Sequence, residues 1–374
     1  MIKILHFITD NNVGGAGKLL CSQIKNMGGK EFKITVALPQ NSQLKKPLSA
    51  LPCALIDLRH GADKSLYAPS ILEAAKIIKS EKPDIVHSHG SLSSRIAATL
   101  LNVPSRIFTR HCCFPLSKMY KNPIPRLAVG LINNSLSTSI IAVSDSAKDN
   151  LLGMGCRCNK ISTVINGVEP IRVISREESN YWRARYGITQ NNFVISIVAR
   201  LEECKGHKTF LEAAQICKKH YPNFRFFIVG DGTIRESLKE LAKRLDVSDV
   251  VHFTGFCEDV APILNITDVN VNCSIGTETS CLALSEGMSL GIPSVASDYG
   301  GNTHMVKNAD NGLIFPRGNA EALAMSLIRL YRDEELYAKC SLGALRRFYE
   351  EFNAATMTQK MKEFYKVEYQ RHKK

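Results

Sequence analysis

Several common solutions are missing from this chain. No apolar run approaches the roughly 18 residues needed to span a bilayer. The opening Met1-Ile-Lys-Ile-Leu-His-Phe-Ile8 reads as a strand. It is too short, and too soon broken by Thr9-Asp10, to serve as a secretory leader. The twelve cysteines contain no Cys-x-x-Cys pair, and only Cys112-Cys113 and Cys156-x-Cys158 lie close together. That scatter argues for cytosolic thiols rather than disulfides or a metal site. No nucleic-acid motif with interleaved aromatics is present, so nucleic acid is not an expected partner. The glycines after the first strand, Gly14, Gly15 and Gly17, do not fit the G-x-G-x-x-G dinucleotide fingerprint, which argues against an NAD-dependent dehydrogenase.

Acidic residues are scarce in the first half. Residues 1–168 hold 21 Lys+Arg against 9 Asp+Glu, net +12, and the remainder holds 27 against 26, which together give the chain's +13. A basic half suits anionic lipid or a phosphorylated ligand, with a solubility bias as the plain alternative.

The 374 residues suffice for two domains. Apolar runs alternate with helical patterns twice over. In the first half strands are expected at 3–8, 32–38, 83–89, 105–111, 139–144 and 161–165, with helices at 18–27, 72–79 and 91–101. The second half has strands at 193–199, 224–229, 250–256, 268–273, 294–296 and 312–316, with helices at 207–221, 234–245, 282–290 and 320–332. A helical tail runs from Glu335. The expected division is an N-terminal domain 1–168, a connection 169–191 with a short helix at 176–186, a C-terminal domain 192–348, and a returning helix 349–374. Such alternation builds doubly wound parallel sheets, with ligands at the C-terminal strand ends. That rule puts Asp10, Gly15, His87, His89 and His111 on the functional rim of the first half, with a structural role as the alternative for each histidine.

The chain is organised around Cys273–Gly301, read as strand, loop, helix and strand. Glu278 lies in the loop and Glu286 eight residues on, within the helix, for which Thr279 and Ser280 are the expected N-caps. A carboxylate in this apolar, small-residue run needs a partner. Two carboxylates beside a helix N-terminus suit a hydroxyl-rich ligand carrying phosphate. A capping acid and an exposed acid form the plainer alternative. Arg200 and Lys205 share a loop at a strand's C-terminal end, where two cations can hold a departing diphosphate. A solvated pair beside Glu202 and Glu203 is the alternative there.

These residues together resemble glycosyltransferase family 4, retaining, nucleotide-sugar-dependent enzymes of the GT-B fold. The carriers are Gly14-Gly15, Asn166-Gly-Val-Glu169, Arg200-Leu with Lys205-Gly206, Val229-Gly-Asp-Gly232, Phe253-Thr-Gly255, Glu278-x7-Glu286 and Gly291-Ile-Pro-Ser-Val-Ala-Ser with Gly300-Gly301. The resemblance implies two Rossmann-like domains facing across a cleft, with the C-terminal helix packing back on the first. It implies that Glu286 binds the ribose hydroxyls and that Arg200 and Lys205 bind the donor diphosphate. Glu278, with the backbone of Thr279, Ser280, Cys281 and Leu282, would hold the donor sugar. Gly230 falls in the donor set, Gly15 near the phosphates or the acceptor, and His111 beside the sugar at the reaction centre.

No metal or other cofactor is expected, because protein cations replace it. The implied partners are a nucleotide-sugar donor, UDP-sugar before GDP-sugar, and a lipid-linked or glycan acceptor of surface-polysaccharide or glycolipid synthesis. A cytoplasmic enzyme resting on the anionic inner leaflet through its basic first domain is expected. The chain departs from the family pattern at Thr279-Ser280-Cys281, where Gly-Phe-Gly is common, at His304, where a Glu is common, and at Ala16-Gly17-Lys18, which lacks a Glu. A sugar-nucleotide epimerase and a non-catalytic sugar-nucleotide binder are the other readings. Alanine at Lys205 is expected to lower turnover with the fold intact.

Overall fold

The structure, a computed structural model, describes residues 1–11, 14–60, 66–111 and 122–372. Cys112-Cys113 and part of the first glycine loop lie outside them. The chain forms two compact units, Met1–Val168 with Ala354–Lys374, and Glu169–Asn353.

In the first unit seven strands alternate with helices: β1 (Ile2–Ile8), β2 (Phe32–Pro39), β3 (Ala54–Leu58), β4 (Ile85–His89), β5 (Ser105–Arg110), β6 (Ser139–Ala142) and β7 (Ile161–Thr163). Their spatial order is β3-β2-β1-β4-β5-β6-β7, all parallel. The direction of winding reverses between β1 and β4, whose register pairs His6 with His87. Such a reversal opens a crevice beyond the C-terminal strand ends.

The second unit has β8 (Phe193–Val198), β9 (Phe224–Val229), β10 (Val251–Gly255), β11 (Val269–Asn272), β12 (Ser294–Ser297) and β13 (Gly312–Phe315). Their order is β10-β9-β8-β11-β12-β13, again parallel. Here the reversal lies between β8 and β11. Strands such as Phe193–Val198 and Phe224–Val229 are apolar on both faces because helices cover both sides of a parallel sheet. The core gathers Ile195, Ile197, Phe210, Phe226, Val271 and Leu327.

Several expectations are corrected. The first helix begins at Gly15, not Lys18, so Gly15 and Gly17 occupy its first turn. A Cβ on Gly17 would run into the Leu44 side chain, so that glycine serves close packing. Edge strand β3 and the helices Lys45–Ser49 and Pro123–Leu136 were not anticipated. In the last of these the prolines at 123 and 125 sit in the first turn, where proline is tolerated, and Asn122 caps Ile124 N–H. The expected connection 169–191 packs within the second unit. Its helix Arg176–Arg185 brings Trp182 onto the cluster of Ile188, Val194 and Phe227, and Tyr186 just past its end meets Phe227 edge to face.

The helical tail is not continuous. It runs Glu334–Arg347, turns through a wider π coil at Phe348–Phe352, and resumes as Ala354–Arg371. Buried Phe348 and Phe352 anchor the turn in the second unit. The final helix belongs to the first unit, where its buried Tyr365 hydroxyl accepts from Gln23 at 3.1 Å.

Candidate functional site

Two loops flank the β8/β11 reversal in the second unit. The loop after β8 carries Arg200 and a short 3-10 turn, Glu203–Lys205, closed by Gly206 at φ +69°. A Cβ on Gly206 would run into the Cys273 carbonyl oxygen, so glycine lets this loop lie directly on the end of β11. The loop after β11 carries Thr277 at φ +49° and then Glu278. A β-branched residue in the left-handed region costs on the order of 1–3 kcal/mol, and such strain persists where the surroundings impose it.

That imposed geometry brings Glu278 onto Lys205. Lys205 Nζ lies 2.9 Å from Glu278 Oε2, with the two side chains only 15% and 6% exposed. The same oxygen accepts from Asn272 Nδ2 at 3.0 Å and from Ser274 Oγ at 2.8 Å. Asn272 is oriented in turn, because its Oδ1 accepts from the Ser274 N–H at 2.9 Å and from Asn302 Nδ2 at 3.1 Å. Ser297 completes the cradle by donating to the Ser274 carbonyl and accepting from Asn302. Burial pushes the Glu278 carboxyl up, but Lys205, Asn272 and Ser274 outweigh it and hold the group below its ordinary value. Burial likewise opposes the Lys205 ammonium, and the Glu278 carboxylate more than offsets it.

Gly300 and Gly301 explain themselves at this point. Side chains there would meet the carbonyl oxygens of Glu278 and Thr279, and Gly301 N–H donates to the Glu278 carbonyl at 3.2 Å. The glycine pair is a seat for the Glu278 backbone. Gly230, at φ +142°, plays a similar part for the Arg200 loop: its N–H donates to Gly255, and a Cβ would run into the Ala199 carbonyl oxygen.

Arg200 is 74% exposed and pairs with Glu202 at 2.7 Å. The surface pair weighed from the sequence is therefore present, and it involves Arg200 but not Lys205. Exposed pairs of this kind contribute about 0–1 kcal/mol, which leaves Arg200 able to change partner at little cost.

The helix carrying Glu286 runs Leu282–Met288, with Cys281 at its N-cap and no side-chain cap bond. Thr279 and Ser280 are therefore not the caps. Thr279 is buried, and Ser280 Oγ is buried with no hydrogen-bond partner among the described residues. Glu286 is half-buried on this helix. Of the backbone from 279 to 282, the Cys281 N–H donates to Met305 Sδ at 3.1 Å. Burial, followed by Glu278, pushes the Cys281 thiol up to about 12. It stands as an inert neutral group.

Gly15 and His111 belong to the first unit. Gly15 is exposed in the first helical turn after β1, and His111 directly follows β5. His87 and His89, expected on the rim, are buried within β4. The residues missed from sequence are Asn272, Ser274, Ser297 and Asn302. Their signal was polar side chains at positions of buried strands and their ends, where each needs a partner.

Residues 13–172 match the family described as Glycosyltransferase Family 4, and residues 178–347 match Glycosyl transferases group 1. The putative glycosyltransferase EpsD of Bacillus subtilis is 27% identical over 299 residues, 78% of each chain. An Escherichia coli protein named UDP-Gal:alpha-D-GlcNAc-diphosphoundecaprenol alpha-1,3-galactosyltransferase is 27% identical over 305 residues, 79% of this chain and 78% of that one. The structure of Anabaena Alr3699/HepE in complex with UDP-glucose superposes with a TM-score of 0.84 at 21% identity, over 98% of this chain and 100% of that one. The fold is thus that of the GT-B enzymes, with two parallel-sheet Rossmann-like domains. The two matches run in order over most of the sequence, and the chain belongs to glycosyltransferase family 4.

Proposed function

We propose that this protein transfers a hexosyl group from a nucleotide diphosphate donor, UDP-sugar before GDP-sugar, to a lipid-linked or glycan acceptor, with retention at the anomeric carbon. The observation that carries this reading is the buried Lys205–Glu278 pair at the β8/β11 reversal. A cation and a carboxylate preset at a switch point match the two ends of a sugar diphosphate. The named activity of the E. coli relative and the UDP-glucose bound to HepE support the donor class.

In this reading the Glu278 carboxylate accepts hydrogen bonds from the sugar hydroxyls, and Glu286 accepts from the ribose hydroxyls. The Lys205 ammonium has three donors. One goes to Glu278, and the others serve diphosphate oxygens. Arg200 leaves Glu202 and joins it there with its planar fork. As the anomeric C–O bond breaks, negative charge grows on the diphosphate, and these fixed cations stabilise the transition state more than the ground state. The acceptor oxygen forms the new bond on the face from which the diphosphate departs, and its proton passes to a leaving phosphate oxygen. We assign the electrostatic part to protein cations rather than a bound metal.

The membrane part of the proposal rests on the helix Pro123–Leu136. It leaves Ile124, Leu127, Leu131 and Ile132 exposed along one side, in the basic half of the chain. No helix among the described residues is long and apolar enough to cross a membrane. An apolar stripe on a basic domain suits peripheral docking on an anionic leaflet.

The test is turnover of a UDP-, GDP- and ADP-sugar panel with a polyprenyl-diphosphate-linked sugar as acceptor, in EDTA, with the anomeric configuration of the product read by NMR. One donor giving an α-linked product from an α-linked donor supports the reading. A folded protein that consumes no donor, or that inverts configuration, overturns it.

A further inference from the structure

The two oxygens of the Glu278 carboxylate are used unequally. Oε2 receives three hydrogen bonds, from Lys205 Nζ, Asn272 Nδ2 and Ser274 Oγ. Oε1 accepts from no described residue, and it is not one of the buried atoms left without a partner, so it opens onto the seat. The protein holds one oxygen and leaves the other for a ligand.

The groups that hold Oε2 are themselves directed from one place. Asn302, fully buried, opens the short helix Asn302–Met305 directly after Gly300-Gly301. Its Nδ2 donates to Asn272 Oδ1 and to Ser297 Oγ, each at 3.1 Å. The Ser297 hydroxyl gives its hydrogen to the Ser274 carbonyl at 2.6 Å, so it can only accept from Asn302. Asn272 Oδ1 also accepts from the Ser274 N–H, which turns Asn272 Nδ2 toward Glu278. Each donor in this network has one direction, and the directions run from Asn302 to the carboxylate.

Asn302 gives something up in this arrangement. Its Oδ1 is buried and accepts no hydrogen bond among the described residues. A buried carbonyl oxygen without a partner is unfavourable, and such a group calls for a reason. The reason here is the need for two N–H groups at one point. A hydroxyl would supply one donor there, and an apolar side chain none. The same segment also fixes the main chain of Glu278, because Gly301 N–H donates to the Glu278 carbonyl at 3.2 Å. Gly301 and Asn302 thus hold both ends of one residue, the backbone directly and the carboxylate through Asn272.

We infer that Asn302 is a positioning residue for the transfer: through Asn272 and Ser297 it fixes the rotation of the Glu278 carboxylate, so that Oε1 alone faces the donor sugar and accepts from its hydroxyls. This rests on the transferase reading for the sugar, but not for the carboxylate geometry. Every residue of the network lies in the second unit.

The test uses full-length protein carrying 13Cδ-glutamate. The Glu278 carboxyl signal, assigned by its loss in Glu278→Gln, is followed against pH with no ligand present. Asn302→Leu keeps the side-chain size and removes both N–H groups. Asn272 is then free to turn, Glu278 loses a donor to its charged form, and its titration midpoint is expected to rise above that of the wild type. An unchanged midpoint in the folded variant overturns the positioning role, whatever the enzyme's substrate. Ser297→Ala, which removes a single oxygen, is expected to raise the midpoint by less. It carries the test if Asn302→Leu does not fold, with the same outcome overturning the role.

Kinetics reads the consequence for transfer. Asn302→Leu is expected to lower kcat with UDP-hexose about 10- to 100-fold, because a misplaced Oε1 no longer holds the sugar for reaction. Affinity for UDP alone, which carries no sugar, is expected to stay at the wild-type value. Unchanged kcat overturns the role, and so does a loss of UDP affinity that matches the fall in turnover, since that marks general damage to the site. A wild type that turns over no donor defeats the transferase reading while leaving the titration result standing.

Discussion

The Lys205 ammonium and the Glu278 carboxylate face each other at 2.9 Å, with little of either exposed to solvent. Breaking a buried pair from one side costs about 3–5 kcal/mol, because the other charge is left without a partner. Lys205→Ala is thus expected to lower both stability and turnover, which changes the expectation of an intact fold drawn from sequence. The double variant Lys205→Met/Glu278→Leu should recover most of the stability in urea unfolding while remaining inactive. A stable, fully active Lys205→Ala protein would contradict the pairing.

Arg200 separates chemistry from folding. Its exposed bond to Glu202 contributes little. Arg200→Ala should unfold within about 0.5 kcal/mol of wild type. Loss of one fixed donor to a developing anion lowers kcat on the order of 100-fold. Steady-state kinetics on the folded variant checks this.

Stability should fall with acid, and the sign follows from the histidines. Below their ordinary value of 6.5 the unfolded chain takes up protons that His6 and His111 refuse in the native state until about pH 3 and 4. The unfolded state therefore binds more protons, and stability drops as pH falls from 6.5 toward 4, by up to about 1.4 kcal/mol per pH unit for each proton refused. His87, His89 and His207 are lowered as well and add in the same direction. Asp268, raised by burial to about 6, opposes them with a single proton. Urea midpoints between pH 7.5 and 4.5 should decline, and His6→Phe should flatten the slope.

Gly300 carries a geometric prediction. At φ +58°, and with the Glu278 carbonyl where a Cβ would stand, Gly300→Ala forces the Glu278 loop to move. Donor binding should weaken at least about tenfold, since misplacement on the order of 1 Å in a polar site costs that much or more. Isothermal titration with UDP-sugar measures it.

Much of this was legible because buried parallel strands are apolar runs and because Glu278 and Glu286 keep a fixed spacing. The doubly wound parallel sheets followed from alternation alone. Edge strand β3 escaped because Ala54 and Asp57 are exposed, Leu55 and Ile56 are half-buried and only Leu58 is buried, so no clear apolar run forms. The helix Pro123–Leu136 escaped because two prolines read as a break. The cradle of Asn272, Ser297 and Asn302 and the His87–Tyr365 bond span long stretches of chain, the latter 278 residues. Linear spacing shows which residues need partners and leaves the partners to tertiary packing.

The most direct measurement is donor binding by wild type and Arg200→Ala side by side, followed by thermal unfolding and slow donor hydrolysis across UDP-, GDP- and ADP-sugars. The account predicts that one donor raises the wild-type melting temperature and is hydrolysed, while the equally folded Arg200→Ala protein shows a diminished response to the same donor. If no sugar nucleotide or free nucleotide stabilises the wild type, the seat formed by Arg200, Lys205, Glu278 and Glu286 does not bind a nucleotide-sugar.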